Sequence, residues 1–104
     1  MDKKYSELLR EAADRDDLVQ IKGDFFGKFE ETGVKECCSI GAIAIQIGET
    51  EVVHDIYQDL RDKYPAYKRS LNGYTDCRTP LTYWNDVRGY SFKQIARMLQ
   101  LLKL

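Results

Sequence analysis

The stretch Cys37-Cys38-Ser39-Ile40-Gly41-Ala42-Ile43-Ala44-Ile45-Gln46-Ile47 constrains the fold more than any other part of the chain. Nearly every side of it is apolar and several residues are small, so it must be packed closely all round. A buried strand and a helix would both meet that demand. Its length of about twelve residues, counted from Glu36, favours a central helix, and Gly48 stands where a helix C-cap glycine belongs. Broken by Gln46, the run falls far short of the roughly 20 apolar residues a membrane span needs, so no membrane partner is expected.

Other segments supply elements to wrap around that centre. Tyr5, Leu8, Leu9, Ala12 and Ala13 form one apolar stripe of a first helix over 4–16. In 17–34, glycines punctuate three phenylalanines that want burial; a short helical turn over 24–30 is expected, with a β-ribbon as the alternative. Thr50 is the expected N-cap of a helix over 50–64 with Val52, Val53, Ile56, Tyr57, Leu60 and Tyr64 on one face, ended by Pro65. Residues 66–78, with Asn72-Gly73, read as an ordered loop. Thr79-Pro80 opens a short helix, and Ser91-Phe92-Lys93-Gln94 has capping-box spacing before a final helix with Phe92, Ile95, Ala96, Leu99 and Leu102 in line. The fold predicted is all-α: a single domain over 1–104, a compact bundle of four to five helices around the helix at 36–47.

Composition agrees with an ordinary globular chain, at 43% hydrophobic and 32% charged residues. The start, Met1-Asp2-Lys3-Lys4-Tyr5, runs straight into a charged helix without the apolar core of a signal peptide. Three cysteines, two of them adjacent, suit reduced buried thiols better than a disulfide framework. Both point to the cytoplasm.

No catalytic constellation is complete. Cys37, Cys38, Cys77 and His54 are candidate zinc ligands, but no two have metal-site spacing, so no metal or cofactor is expected. A Cys–His enzyme, oriented by Asp55 or Asp76, lacks any local nucleophile signature. Gly23-x-x-x-Gly27-Lys28 matches only a fragment of a phosphate loop, and Phe25-Phe26 would crowd the phosphates. Arg88-Gly89-Tyr90-Ser91 and the residues following look like the first helix of a helix-turn-helix, but the chain stops before a recognition helix.

Charge is where the sequence is lopsided. Residues 1–60 hold 7 Lys/Arg against 14 Asp/Glu, and residues 61–104 hold 9 against 3, within an overall net charge of -1. The basic part interleaves aromatic rings with cations, a composition shared by protein-binding hot spots and by surfaces that stack on bases. It also suits internal neutralisation, with the acidic first helix lying across the basic half. The binding residues expected are Tyr67, Lys68, Arg69, Tyr74, Arg78 and Arg88.

Two short elements carry a family resemblance. Cys38-Ser39-Ile40-Gly41-Ala42 resembles a Cys-small-hydrophobic-Gly-Ala element, and Trp84-Asn85-Asp86, leading to Ser91 and Ile95, resembles a Trp/Leu-Asn-Asp element. Together they are similar to small phage and actinobacterial proteins of a domain-of-unknown-function group. The resemblance implies a helical fold and a phage or prophage setting, and carries no activity. Physically, Gly41-Ala42 would permit close helix contact, while Asn85 and Asp86 would cap the turn into the last helix. The function expected is a small non-enzymatic binding protein, a phage accessory or host-defence inhibitor acting by protein–protein contact. Nucleic-acid binding by the basic half is the alternative, and a homo-oligomer is left open.

Overall fold

In the computed structural model, which describes residues 3–63 and 79–104, the apolar run does become the central helix. That helix, α2, is Ser39–Ile47, and Ile40, Gly41, Ala42, Ile43 and Ala44 are all buried in it. It ends on Gly48, whose φ of 99° is the left-handed conformation a C-cap glycine supplies without steric penalty.

The bundle is not all-α. Helix α2 starts three residues after the predicted 36, because Lys35–Cys37 is a strand, β3. β3 lies between β1, Leu18–Gln20, and β2, Phe26–Phe29, in a three-stranded sheet of order β1-β3-β2. β1 runs parallel to β3, with Leu18 opposite Lys35 and Gln20 opposite Cys37. β2 runs antiparallel to β3, its register shifted between Phe26 and Phe29. The fold is therefore α/β, and the expected helical turn over 24–30 gives way to the ribbon alternative.

The physical reason is local. Gly23 and Gly33 take positive φ at the two ends of this segment, and a helix cannot continue through either. Between β2 and β3 the turn closes on itself, Glu30 N–H donating to Val34 O at 2.7 Å. The phenylalanines are not all buried: Phe26 and Phe29 meet edge to face at 5.6 Å, and Phe29 stays 46% exposed.

Helix α1, Tyr5–Ala13, buries Leu8, Leu9 and Ala12 as its stripe requires. It lies along the last helix, α5, Phe92–Leu101, whose Ile95, Ala96 and Leu99 are buried opposite. The capping box of α5 forms: Gln94 N–H donates to Ser91 Oγ at 3.2 Å, and Ser91 N–H to Gln94 Oε1 at 2.9 Å. Helix α3, Val53–Lys63, buries Val53, Ile56 and Leu60. Thr50 does not cap it. A 3₁₀ turn, Thr50–Val52, leads in, and its N-cap is Glu49 without a side-chain bond.

Thr79 does cap the next helix, accepting Thr82 N–H on Oγ1 at 3.1 Å. This helix, α4, is Pro80–Thr82 and widens at once into a π-helical turn, Tyr83–Val87. The wider turn brings two successive side chains inward, leaving Trp84 7% and Asn85 1% exposed. Among the described residues no helix is long and apolar enough to cross a membrane.

Candidate functional site at the head of α2

Helix α2 has an apolar body and a polar problem. Its N-cap, Cys38, is extended and offers no side-chain hydrogen bond to the free amides of the first turn. Asn85 arrives from the π turn to meet part of that need. Its Oδ1 accepts Ser39 N–H at 3.1 Å and Gln20 Nε2 at 2.7 Å. Its Nδ2 donates to Ile21 O at 2.8 Å and to Asp86 Oδ1 at 2.7 Å. One buried amide thus ties the end of β1, the head of α2 and α4. The expected role of Asn85 as a cap is correct in kind, but the helix it serves is α2 rather than the last one.

Beside this knot lies a cleft of about 330 Å³. The β1–β2 loop contributes Gly23, Asp24 and Phe25, α3 contributes Tyr57, α4 contributes Thr82 and the π turn after it Asp86, with Cys38 at the head of α2. Phe25 is fixed by edge-to-face contacts with Tyr57 at 5.7 Å and His54 at 5.8 Å. Its backbone carbonyl accepts Cys38 N–H at 3.0 Å, which seats the loop on the helix. Gly41 makes that approach workable, since a Cβ there would run into the Phe25 carbonyl oxygen. The close contact expected of Gly41-Ala42 is real, and its partner is loop backbone, not a helix.

The thiol of Cys38 is not activated. Burial pushes it up to about 11; the amides of Gly41 and Ile40 favour the thiolate, and the Asp86 carboxylate opposes it. Cys37, at the end of β3, is pushed up to about 12, first by burial and then by Cys38. His54 is exposed and does not line the cleft, so the cysteine–histidine pairing is not assembled with Cys37 or Cys38. Among the described residues no group of three or more His, Cys, Asp or Glu side chains is placed to hold a metal ion. Among the described residues that line the cleft, no nucleophile is paired with a base. The cleft instead offers two carboxylates, Asp24 and Asp86, near two aromatic rings.

Of the binding residues expected from sequence, Tyr67, Lys68, Arg69, Tyr74 and Arg78 lie outside the described residues, as does Cys77. Arg88 is exposed, its guanidinium 5.5 Å from the Tyr90 ring centre, and it does not line the cleft. The hydrogen bond with Tyr83, then the charge interaction with Tyr90, pushes its guanidinium above the ordinary value. Sequence reasoning did not single out Asp24 or Tyr57 as site residues. The available signal was the pairing of the Cys38–Ala42 and Trp84–Asp86 elements, which the fold joins through Ser39 and Asn85.

No family model, curated protein or solved structure matches the chain.

Proposed function

We propose that this is a small non-enzymatic binding protein that docks on a protein partner, with the cleft at the head of α2 receiving a Lys or Arg side chain. The observation that carries the reading is the lining of that cleft. Asp24 and Asp86 offer carboxylates, Phe25 and Tyr57 offer rings, and no described lining residue is a cation. A guanidinium or ammonium suits that set through charge-assisted hydrogen bonds and ring contact. The protonated Cys38 thiol supports binding over covalent chemistry. The setting suggested by the two short sequence elements, a phage accessory or host-defence inhibitor, belongs to the same reading.

Titration of the ¹⁵N-labelled protein with short peptides centred on Arg, Lys or citrulline tests this. The amides of Gly23, Asp24 and Phe25 should shift with Arg and Lys peptides and not with citrulline. An Asp24→Asn/Asp86→Asn variant should lose the response. Equal shifts with citrulline would remove the reading.

Nucleic-acid binding is the second reading, favoured by one observation: Arg88 is exposed over the Tyr90 ring, a pairing suited to stacking on a base. A salt titration against mixed DNA and RNA separates the two, because phosphate binding must weaken steeply as salt rises.

A further inference from the structure

A second concavity lies where α1 passes the C-terminal end of α5. It is about 560 Å³ and is lined by Arg10, Arg97, Gln100, Leu101 and Lys103. It shares no residue with the cleft at the head of α2. Three cations face it and no described carboxylate does. Arg10, Arg97 and Lys103 have no ion-pair partner among the described residues, whereas Lys3, Arg15, Lys35 and Lys63 each have one. The expected neutralisation of the basic half by α1 therefore does not reach this seam. The α1–α5 contact is made by apolar residues, and the cations beside it remain open.

Two further features set the place apart. Leu101 is 77% exposed, the most exposed large apolar side chain among the described residues, and its neighbour Leu102 is 40% exposed. Lys103 has a φ of 62°, in the left-handed region that glycine occupies at this point of a helix end. Its N–H donates to Gln100 O at 3.0 Å, and Leu104 N–H donates to Leu99 O at 3.0 Å, the hydrogen-bond pair of a Schellman cap. A lysine thus stands where glycine would be less strained, and it lines the cationic seam.

We infer that the α1–α5 seam is a docking site for an acidic, leucine-type amphipathic segment of a protein partner. Its carboxylates meet Arg10, Arg97 and Lys103, and its apolar residues cover Leu101. Cations alone would serve a phosphate backbone equally well. The exposed leucines decide for a peptide, since covering them is favourable only with apolar groups.

The test is fluorescence anisotropy with a labelled twelve-residue peptide of alternating Glu and Leu pairs, against the same peptide with Gln for Glu. Single-stranded DNA and phosphatidylserine vesicles are the competing probes. The Glu peptide should bind at least about tenfold more tightly than the Gln peptide, and Arg97→Glu should remove about that factor. Leu101→Ala should weaken binding about fivefold, a loss that a purely ionic site would not show. Lys103→Gly is the control for folding: it should lower affinity while the thermal midpoint holds or rises. Equal binding of the Gln peptide overturns the inference. So does an unchanged affinity for Leu101→Ala, or tighter Arg97-dependent binding to DNA or to vesicles than to the Glu peptide.

Discussion

The side-chain oxygen of Asn85 accepts Ser39 N–H at 3.1 Å from 46 positions further along the chain. Ser39 is the first residue of α2, so a distant amide serves where Cys38 offers no cap. The same side chain satisfies the carbonyl of Ile21. Asn85→Ala would leave both backbone groups without their partner in a site that is 1% exposed. The expected loss is about 2–4 kcal/mol, read as a fall in the urea midpoint at unchanged slope.

Asn85→Asp makes a sharper test. It keeps an acceptor for Ser39 but removes the donor to Ile21, and it sets a second carboxylate against Asp86. Two adjacent carboxylates raise the affinity of the folded state for a proton. The variant should therefore gain stability as pH falls from about 7 towards 4, where wild type does not. Parallel curves for the two proteins would contradict the arrangement.

Gly41 and Gly23 separate two kinds of glycine. A methyl group at Gly41 would meet the Phe25 carbonyl, which is already engaged with Cys38 N–H, so backbone must move. Gly41→Ala should cost about 1–3 kcal/mol and shift the cleft amides. Gly23 has open space around it but a φ of 88°, so Gly23→Ala should cost about 1 kcal/mol through conformation alone. Denaturation of both variants with ¹⁵N spectra distinguishes these outcomes.

Thiol labelling reports on the head of α2. On a Cys77→Ser background, Cys37 and Cys38 should react slowly with iodoacetamide at pH 7.5 and quickly in urea. Burial is the reason, holding them at about 12 and about 11. Fast labelling of Cys38 in the folded protein would mean that the amides of α2 outweigh burial, and would reopen a nucleophilic role.

Stability should also depend on pH at both extremes. The Arg15 guanidinium grips Asp17 with two bonds, at 2.8 and 2.6 Å, and holds its carboxyl down to about 2. A lowered carboxyl value means stability that is present above about 4 and lost as pH falls towards 2. Asp17→Asn should flatten that limb. At the other end, burial and the 2.7 Å bond to Asp59 push the Tyr5 hydroxyl upward. That contribution is full below about 10 and declines above it, so Tyr5→Phe should flatten the alkaline limb. Urea titrations across pH check both.

The helices were legible because their signals are long. The stripe Tyr5, Leu8, Leu9, Ala12 and the capping box Ser91–Gln94 each span a full turn or more. The sheet was not, for the opposite reason. Its strands are three or four residues, too short for a period of two to show, and β3 carries Lys35 and Glu36 as it enters the core. Glu36 reads in sequence as the start of the central helix and is in fact part of the strand that leads to it. Of the cleft, Cys38 and Asp86 fall within the two short elements legible in the sequence. Asp24, Phe25 and Tyr57 have no local pattern: the β1–β2 loop lands on α2 through Phe25 and Cys38, and the Phe25 ring meets Tyr57 of α3.

The packing of α1 on α5 has a consequence for synthesis. Leu8 and Leu9 on α1 are synthesised well before the residues of α5 that they pack on, Phe92–Leu101, which follow more than 80 positions later. At ordinary elongation rates that interval is on the order of ten seconds. Throughout it α1 has α2 of its own chain to pack on, but the part of its apolar face that α5 will cover stays open to chaperones and to neighbouring chains alike.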